Sequence, residues 1–92
     1  KLAETLLGLA ELRLAEGRPA EALPLLERAL PLTRGFNSAQ VQSTLARALR
    51  MAGGNPPRAL ELARKARLFF QAHQQRWLLA RTSAWMATHS IR

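Results

Sequence analysis

The sequence predicts an all-α fold of paired antiparallel helices, and three observations support this prediction. The 18 Leu and 17 Ala residues are strong helix formers, whereas Val and Ile, which favour strands, occur once each. Apolar residues recur at helical spacing rather than in alternation. Two similar turns, GRPAEAL at 17–23 and GGNPPRAL at 53–60, place glycine before proline between apolar segments. Each turn is therefore expected to join two helices.

The first helix pair is predicted at residues 2–16 and 19–33. Gly17 ends the first helix in a left-handed conformation, and Pro19 begins the second, where its missing N–H costs nothing. Pro24 is expected to remove one backbone hydrogen bond and bend the second helix, and Pro31 marks its frayed end. The first helix carries Leu2, Leu6, Leu7, Leu9, Leu12 and Leu14, and the second turns Ala22, Leu23, Leu26, Ala29 and Leu30 inward.

The second helix pair is predicted at about 38–52 and 56–73. Asn37 is expected to cap the third helix, with Gln40 as its capping-box partner. Gly53 and Gly54 end that helix, and Asn55 caps the fourth, whose first turn holds Pro56 and Pro57. The predicted core is Val41, Leu45, Ala46, Leu49 and Ala52 in the third helix and Ala59, Leu60, Ala63, Ala66 and Phe70 in the fourth.

A fifth helix is predicted at about 76–90, after a polar stretch at 71–75. It carries Trp77, Leu78 and Trp85. One interpretation is a capping helix, or a degenerate third unit, that covers the open end of the preceding pair, with Phe69 and Phe70 beneath. The other is an exposed aromatic surface for a partner or for self-association.

The two helix pairs align with each other as a sequence repeat. Leu9-Ala10 and Gly17 match Leu45-Ala46 and Gly53 at an offset of 36 residues, and the segment after the turn matches at an offset of 37. This pattern resembles the tetratricopeptide repeat, which places small residues where its two helices pack closely. The positions that fit are Leu9, Ala10, Gly17, Ala22 and Ala29 in the first unit and Leu45, Ala46, Leu49, Gly53, Ala59 and Ala66 in the second. Arg13 and Ala63 depart from the family pattern because each replaces a bulky residue.

The resemblance implies one helical-repeat domain over residues 1–92. Repeat 1 is expected at about 2–34, repeat 2 at about 37–73 and the capping helix at about 76–90. The chain begins at Lys1 rather than Met, so we expect a fragment of a larger regulatory protein, with a bacterial signalling protein as a looser analogy. The lack of cysteine fits a cytoplasmic location, and the apolar runs are too short to span a membrane.

Little in the sequence suggests catalysis, and we expect neither enzymatic activity nor a cofactor. His73 and His89 match no metal-ligand spacing, and no serine lies in a nucleophile motif. The glycine pair at 53–54 lacks the lysine and strand of a phosphate-binding loop.

The net charge of +8 lies entirely in residues 35–92, where Glu61 is the only acidic residue. The basic residues of the fourth helix are expected on a solvated outer face, with Glu61 and Lys65 forming an i,i+4 pair. Glu21 of the first turn is replaced by Arg58 at the matching position of the second. The charge favours an acidic protein or peptide partner, with a nucleic acid or another anionic surface as the alternative.

In tetratricopeptide repeats the first helices of successive units line a concave face. The resemblance therefore implies protein binding through Glu4, Leu7, Glu11, Leu14, Gln40, Ser43, Arg47, Arg50 and Met51. Arg47 and Arg50 lie three residues apart and share one helix face, so they can bind carboxylates of a partner. Self-association through the fifth helix is the other interaction that the sequence suggests.

Overall fold

A computed structural model describes residues 1–73 of the 92-residue chain. Within them lie two antiparallel helix pairs and no strand: α1 is Leu2–Ala15, α2 Pro19–Ala29, α3 Gly35–Met51 and α4 Pro56–Ala72. Helix α1 packs on α2, α3 packs on α4, and α2 joins the two pairs through α3. The fold is therefore the predicted array of helical repeats. The predicted capping helix at 76–90, with Trp77, Leu78 and Trp85, lies outside the described residues.

The two glycine-containing turns end α1 and α3 with the same hydrogen bonds. Gly17 and Gly53 have φ of +76° and +72°. In the first turn Gly17 N–H donates to Leu14 O at 3.0 Å and Arg18 N–H to Arg13 O at 2.8 Å. The second turn repeats both bonds, from Gly53 to Arg50 O at 3.1 Å and from Gly54 to Leu49 O at 2.8 Å. This is the Schellman arrangement, used twice, as the repeated turn sequence predicts.

Replacing Gly17 or Gly53 with alanine is expected to lower the free energy of unfolding by roughly 1–2 kcal/mol. A side chain at positive φ meets its own backbone, although open space surrounds both positions. Gly8→Ala is the matched control, since Gly8 lies inside α1 with open space around its Cα. Alanine there is expected to raise stability by about 0.5–1 kcal/mol. Urea titration of the variants measures both changes; equal effects at Gly8 and Gly17 would contradict the role assigned to the turns.

The start of α4 confirms the predicted cap. Asn55 Oδ1 accepts a hydrogen bond from Arg58 N at 3.1 Å, and Pro56 and Pro57 follow in the first turn. At the start of α2, Arg18 occupies the capping position without a side-chain cap bond. The additional residue in the second turn thus gives α4 an asparagine cap that α2 lacks.

The predicted start of α3 is wrong by about three residues. The helix begins at Gly35, with Arg34 in extended conformation before it. The amide of Ser38 already bonds Arg34 O at 3.4 Å, so Asn37 lies inside the first turn. Its side chain therefore cannot cap the helix, and the predicted capping box with Gln40 does not form.

The end of α2 also differs from the prediction. The α-helix passes through Pro24 and stops at Ala29, and a short 3₁₀ turn, η1, follows at Leu30–Leu32. Pro31 has no N–H to continue the α-helical bonding. Thr33 then closes η1, because its amide and hydroxyl both donate to Leu30 O, at 3.2 and 2.8 Å.

The core depends on small residues at the helix contacts. All six alanines at the repeat positions are at most 1% exposed: Ala10, Ala22, Ala29, Ala46, Ala59 and Ala66. They form clusters with larger side chains, among which Phe70, Leu26, Leu45 and Val41 are the largest that are fully buried. Alanine at these positions allows close approach of the helix axes, as the resemblance implies.

Several core predictions require correction. Of the predicted core, Ala52 is exposed because it follows the end of α3, and Leu23, Leu30 and Leu60 are half-buried. Leu62 takes the buried place on α4, and Ala39, Thr44 and Ala48 of α3 are buried although they were not predicted. Helix α3 is covered on two sides, by α2 and by α4, so it buries more positions than a single apolar stripe indicates.

Candidate partner-binding groove

A groove of about 460 Å³ lies between α1 and α3. Its walls come from the N-terminal halves of both helices, and η1 and the residues after it contribute the remainder. The lining residues are Lys1, Ala3, Glu4, Leu7, Leu32, Thr33, Arg34, Asn37, Gln40 and Val41. Six of these ten residues are polar or charged and four are apolar, a mixture that suits a peptide segment with its own exposed backbone groups.

Three of the predicted binding residues meet in this groove: Glu4, Leu7 and Gln40. Leu7 is half-buried and packs against the core, whereas Glu4 is exposed. Further along the same helix faces, Glu11 and Met51 are exposed, and Ser43, Arg47 and Arg50 are half-buried. These five extend the face beyond the groove itself.

Leu14 is not available for binding, which corrects the prediction. Its side chain is 7% exposed and belongs to the core cluster with Leu6 and Ala10. Positions 6, 10 and 14 are four residues apart, so they form one stripe along α1 that faces the core.

Residues 32–37 were not predicted to line the groove, although Leu32, Thr33, Arg34 and Asn37 do so. Leu32 and Thr33 were expected at the end of the second helix, and Asn37 as a cap. The change from α-helix to η1 directs this segment toward the groove. Pro31 was the available signal, because proline within an apolar run marks a local change of helix geometry.

The electrostatic character of the two walls differs. Helix α1 contributes the carboxylates of Glu4 and Glu11, whereas α3 contributes the guanidinium groups of Arg47 and Arg50. Arg50 Nε is buried and has no hydrogen-bond partner within residues 1–73. A buried charged donor without an acceptor is destabilising. The α3 wall is thus basic, whereas the α1 wall is acidic.

Two arginines and two glutamates form a cluster of ion pairs at the turn between α1 and α2. Arg13 contacts Glu16 at 3.3 Å and Glu21 at 3.4 Å, and Arg18 contacts the same two carboxylates at 3.4 and 2.8 Å. Arg13 occupies the position where the family pattern has an aromatic residue. It connects the helices by charge instead of by ring packing.

Glu27 and Arg58 connect the two helix pairs. Arg58 Nη2 donates to Glu27 Oε1 at 2.9 Å, and Nη1 donates to the other carboxylate oxygen. The guanidinium holds the pKa of Glu27 below its usual value of 4.5, chiefly through these hydrogen bonds. Arg58 is thus not on a purely solvated face, which corrects the prediction.

The predicted Glu61–Lys65 pair is confirmed at 3.8 Å.

Removing the carboxylate with Glu27→Gln is expected to lower the free energy of unfolding at neutral pH by roughly 0.2–1 kcal/mol, because both partners are partly exposed. A carboxyl group whose pKa is lowered by folding stabilises the folded protein at pH values above its pKa in the unfolded chain. That stabilisation is lost as the pH falls through its pKa in the folded protein. The difference between the native protein and the variant is therefore expected to shrink below about pH 4.5. Thermal unfolding of both proteins across this pH range measures the difference in stability. A difference in stability that grows as the pH falls would contradict the pairing of Glu27 with Arg58.

Within the described part of the chain, no group of three metal-ligating side chains comes together, and no helix is both long and apolar enough to cross a membrane. No curated protein and no solved structure matches the chain significantly. The family model of the tetratricopeptide repeat matches residues 1–72. Repeats of this family are generally non-catalytic and typically mediate interactions between proteins. With its two helix pairs, repeated turns and buried alanines, the chain belongs to the tetratricopeptide repeat family.

Proposed function

We propose that this chain is a non-enzymatic interaction module that binds an acidic peptide, or an acidic segment of a neighbouring domain, along the face shared by α1 and α3. The observation that carries the proposal is the groove of about 460 Å³ in which Glu4, Leu7 and Gln40 converge from two helices. A groove between paired helices presents one continuous surface to an extended ligand.

The charge pattern supports an acidic partner. The α3 side of the face carries Arg47 and Arg50, whose side chains are half-buried. Partial burial strengthens their interaction with carboxylates relative to fully solvated arginines. The α1 side carries Glu4 and Glu11, which would repel a ligand that is acidic along its whole length. The preferred ligand therefore has acidic residues next to α3 and neutral or basic residues next to α1.

Selection from a displayed library of random peptides tests this proposal. The immobilised 92-residue chain is expected to enrich peptides that contain a cluster of Asp or Glu beside apolar residues. Enrichment of basic sequences, or of no sequence class, would contradict it. The immobilised Arg47→Glu, Arg50→Glu double variant provides the comparison, because it should no longer enrich acidic clusters.

Binding of nucleic acid is the second candidate, motivated by the net charge of +8. The structure weakens its basis on α4, where Arg58 is paired with Glu27 and Lys65 with Glu61. Titration with random duplex DNA at low and physiological salt distinguishes the two functions. A steep salt-dependent affinity for duplex would favour the second candidate, whereas weak binding at both salt concentrations favours the peptide groove.

A further inference from the structure

A second pocket, of about 230 Å³, lies between the N-terminal half of α3 and the C-terminal half of α4. Its lining residues are Gly35, Ser38, Ala39, Gln42, Lys65 and Phe69. Within residues 1–73 its walls come from α3 and α4 alone, whereas the groove is lined by α1, α3 and the segment around η1. The pocket therefore belongs to the second helix pair.

The repeat relates this pocket to the groove. Ala39 corresponds to Ala3 at the offset of 36 residues, and Phe69 corresponds to Leu32 at the offset of 37. In the first repeat, Ala3 and Leu32 line the groove together with the N-terminal half of the next helix, α3. In the second repeat, the residues up to 73 provide the equivalents of the first two walls but no following helix. The pocket is thus the counterpart of the groove without its third wall.

Partly exposed aromatic rings lie at this end of the second helix pair. Phe70 and two alanines form a buried cluster of three residues, against which Phe69 is half-buried, whereas the main cluster has fourteen. Phe36 contacts Phe70 with ring centroids 6.1 Å apart and is 38% exposed. Rings in this position present apolar area that a further apolar segment can cover.

The chain leaves α4 beside this pocket. His73 follows the last residue of α4, and its ring stacks on Phe69 with centroids 4.0 Å apart and planes inclined by 19°. Its Nδ1 lies 2.9 Å from Phe69 O. Residues 74–92 therefore continue from a point next to Phe69. Trp77 follows four residues after His73, so the two Cα atoms are at most about 14 Å apart.

The sequence that follows has the side chains to cover this surface. Residues 74–92 contain both tryptophans of the chain, Trp77 and Trp85, together with Leu78, Leu79 and Met86. A packed tryptophan buries about 150–250 Å². Residues 74–92 are also more numerous than the 17 residues of α3, the helix that follows the first repeat.

We propose that residues 76–90 pack as a helix on the pocket between α3 and α4, in the position that α3 takes on the first repeat, with Trp77 covering Phe69. The occupant of this surface is thus the C-terminal segment of the same chain. Of the interpretations that the sequence leaves open, this arrangement favours a helix that covers the preceding pair. It leaves the groove between α1 and α3 open, so it does not depend on the proposed peptide binding.

Paramagnetic broadening in the full 92-residue chain tests this packing. A spin label is attached at Lys65→Cys, because Lys65 is exposed, lines the pocket and would be the only cysteine. The indole N–H signal of Trp77 is expected to lose intensity, and to regain it when the label is reduced. The matched control is Ala20→Cys, exposed in the first turn of α2, where the label should broaden the Trp77 signal much less. An undiminished Trp77 signal with the label at position 65 would overturn the proposal.

A mixing experiment distinguishes packing within one molecule from packing between molecules. Spin-labelled Lys65→Cys chains without isotope label are mixed with isotopically labelled chains that carry no spin label. The Trp77 signal is expected to keep its intensity in this mixture, because the contact is intramolecular. A loss as large as that within one chain would show that a second copy supplies the segment, which would overturn the proposal.

Acrylamide quenching of fluorescence tests the contact with Phe69. Trp77 and Trp85 are the only tryptophans, so the emission reports on residues 74–92 alone. Phe69→Ala is expected to raise the quenching constant, because it removes the ring that Trp77 covers. The matched control is Leu32→Ala, the counterpart of Phe69 in the first repeat, which should leave quenching unchanged. Circular dichroism verifies that both variants keep their helicity. Equal quenching in the native chain and Phe69→Ala would contradict the packing of Trp77 on Phe69.

Discussion

Replacing Leu26 with alanine is expected to lower the free energy of unfolding by about 2–5 kcal/mol, the largest effect on stability that we predict. Leu26 is fully buried in α2, the helix that joins the two helix pairs. Its cluster includes residues from all four described helices, so the cavity would weaken contacts within and between the repeats. A loss of this size is a large part of the roughly 5–15 kcal/mol that stabilises a typical small domain.

Urea denaturation followed by circular dichroism measures this change. Leu32→Ala is the matched control, because Leu32 is 53% exposed in η1 and its truncation leaves no buried cavity. We expect the control to shift the free energy by less than about 0.5 kcal/mol. Similar losses in the two variants would contradict the central place of Leu26 in the core.

Reversing both arginines of α3, with Arg47→Glu and Arg50→Glu, is expected to abolish binding of an acidic peptide selected by display. Hydrogen bonds to charged groups contribute about 1.5–3 kcal/mol each, so losing two weakens affinity about a hundredfold or more. The new carboxylates would add repulsion. Fluorescence anisotropy of the labelled peptide measures the affinity, and circular dichroism verifies that helicity is kept.

A double variant elsewhere on the surface separates a specific site from general charge attraction. Arg28→Glu with Arg64→Glu makes the same change in net charge on exposed residues of α2 and α4, away from the groove. Its affinity for the peptide is expected to fall only slightly, and added salt is expected to remove this difference in affinity because it screens exposed charges. If both double variants lost binding equally, the assignment of Arg47 and Arg50 to the site would be wrong.

Local sequence signals predicted the features that depend on neighbouring residues. The left-handed glycines at 17 and 53, the Asn55 cap and the Glu61–Lys65 pair each involve contacts within five residues along the chain. The buried repeat alanines were predicted from the family pattern, because that pattern records which positions lie between helices. Such signals are sufficient for helix order and for the close packing within each repeat.

Features that depend on contacts between distant residues were predicted less well. Glu27 and Arg58 are 31 residues apart, and the angle between the helix pairs decides whether they meet. The sequence shows that Glu21 of the first turn is replaced by Arg58 in the second. It does not show which partners these two side chains contact. Glu21 bonds within the first pair, whereas Arg58 connects the two pairs. Leu14 likewise was assigned to the surface, although α1 turns it toward the core.

Nuclear magnetic resonance mapping of the bound peptide tests directly whether the ligand occupies the face shared by α1 and α3. The selected acidic peptide is titrated into the isotopically labelled chain, and the backbone amide shifts are followed residue by residue. We expect the largest changes at Leu7, Gln40, Arg47 and Arg50, on the face shared by α1 and α3. Changes concentrated on the outer face of α4, around Arg64 and Lys65, would contradict it.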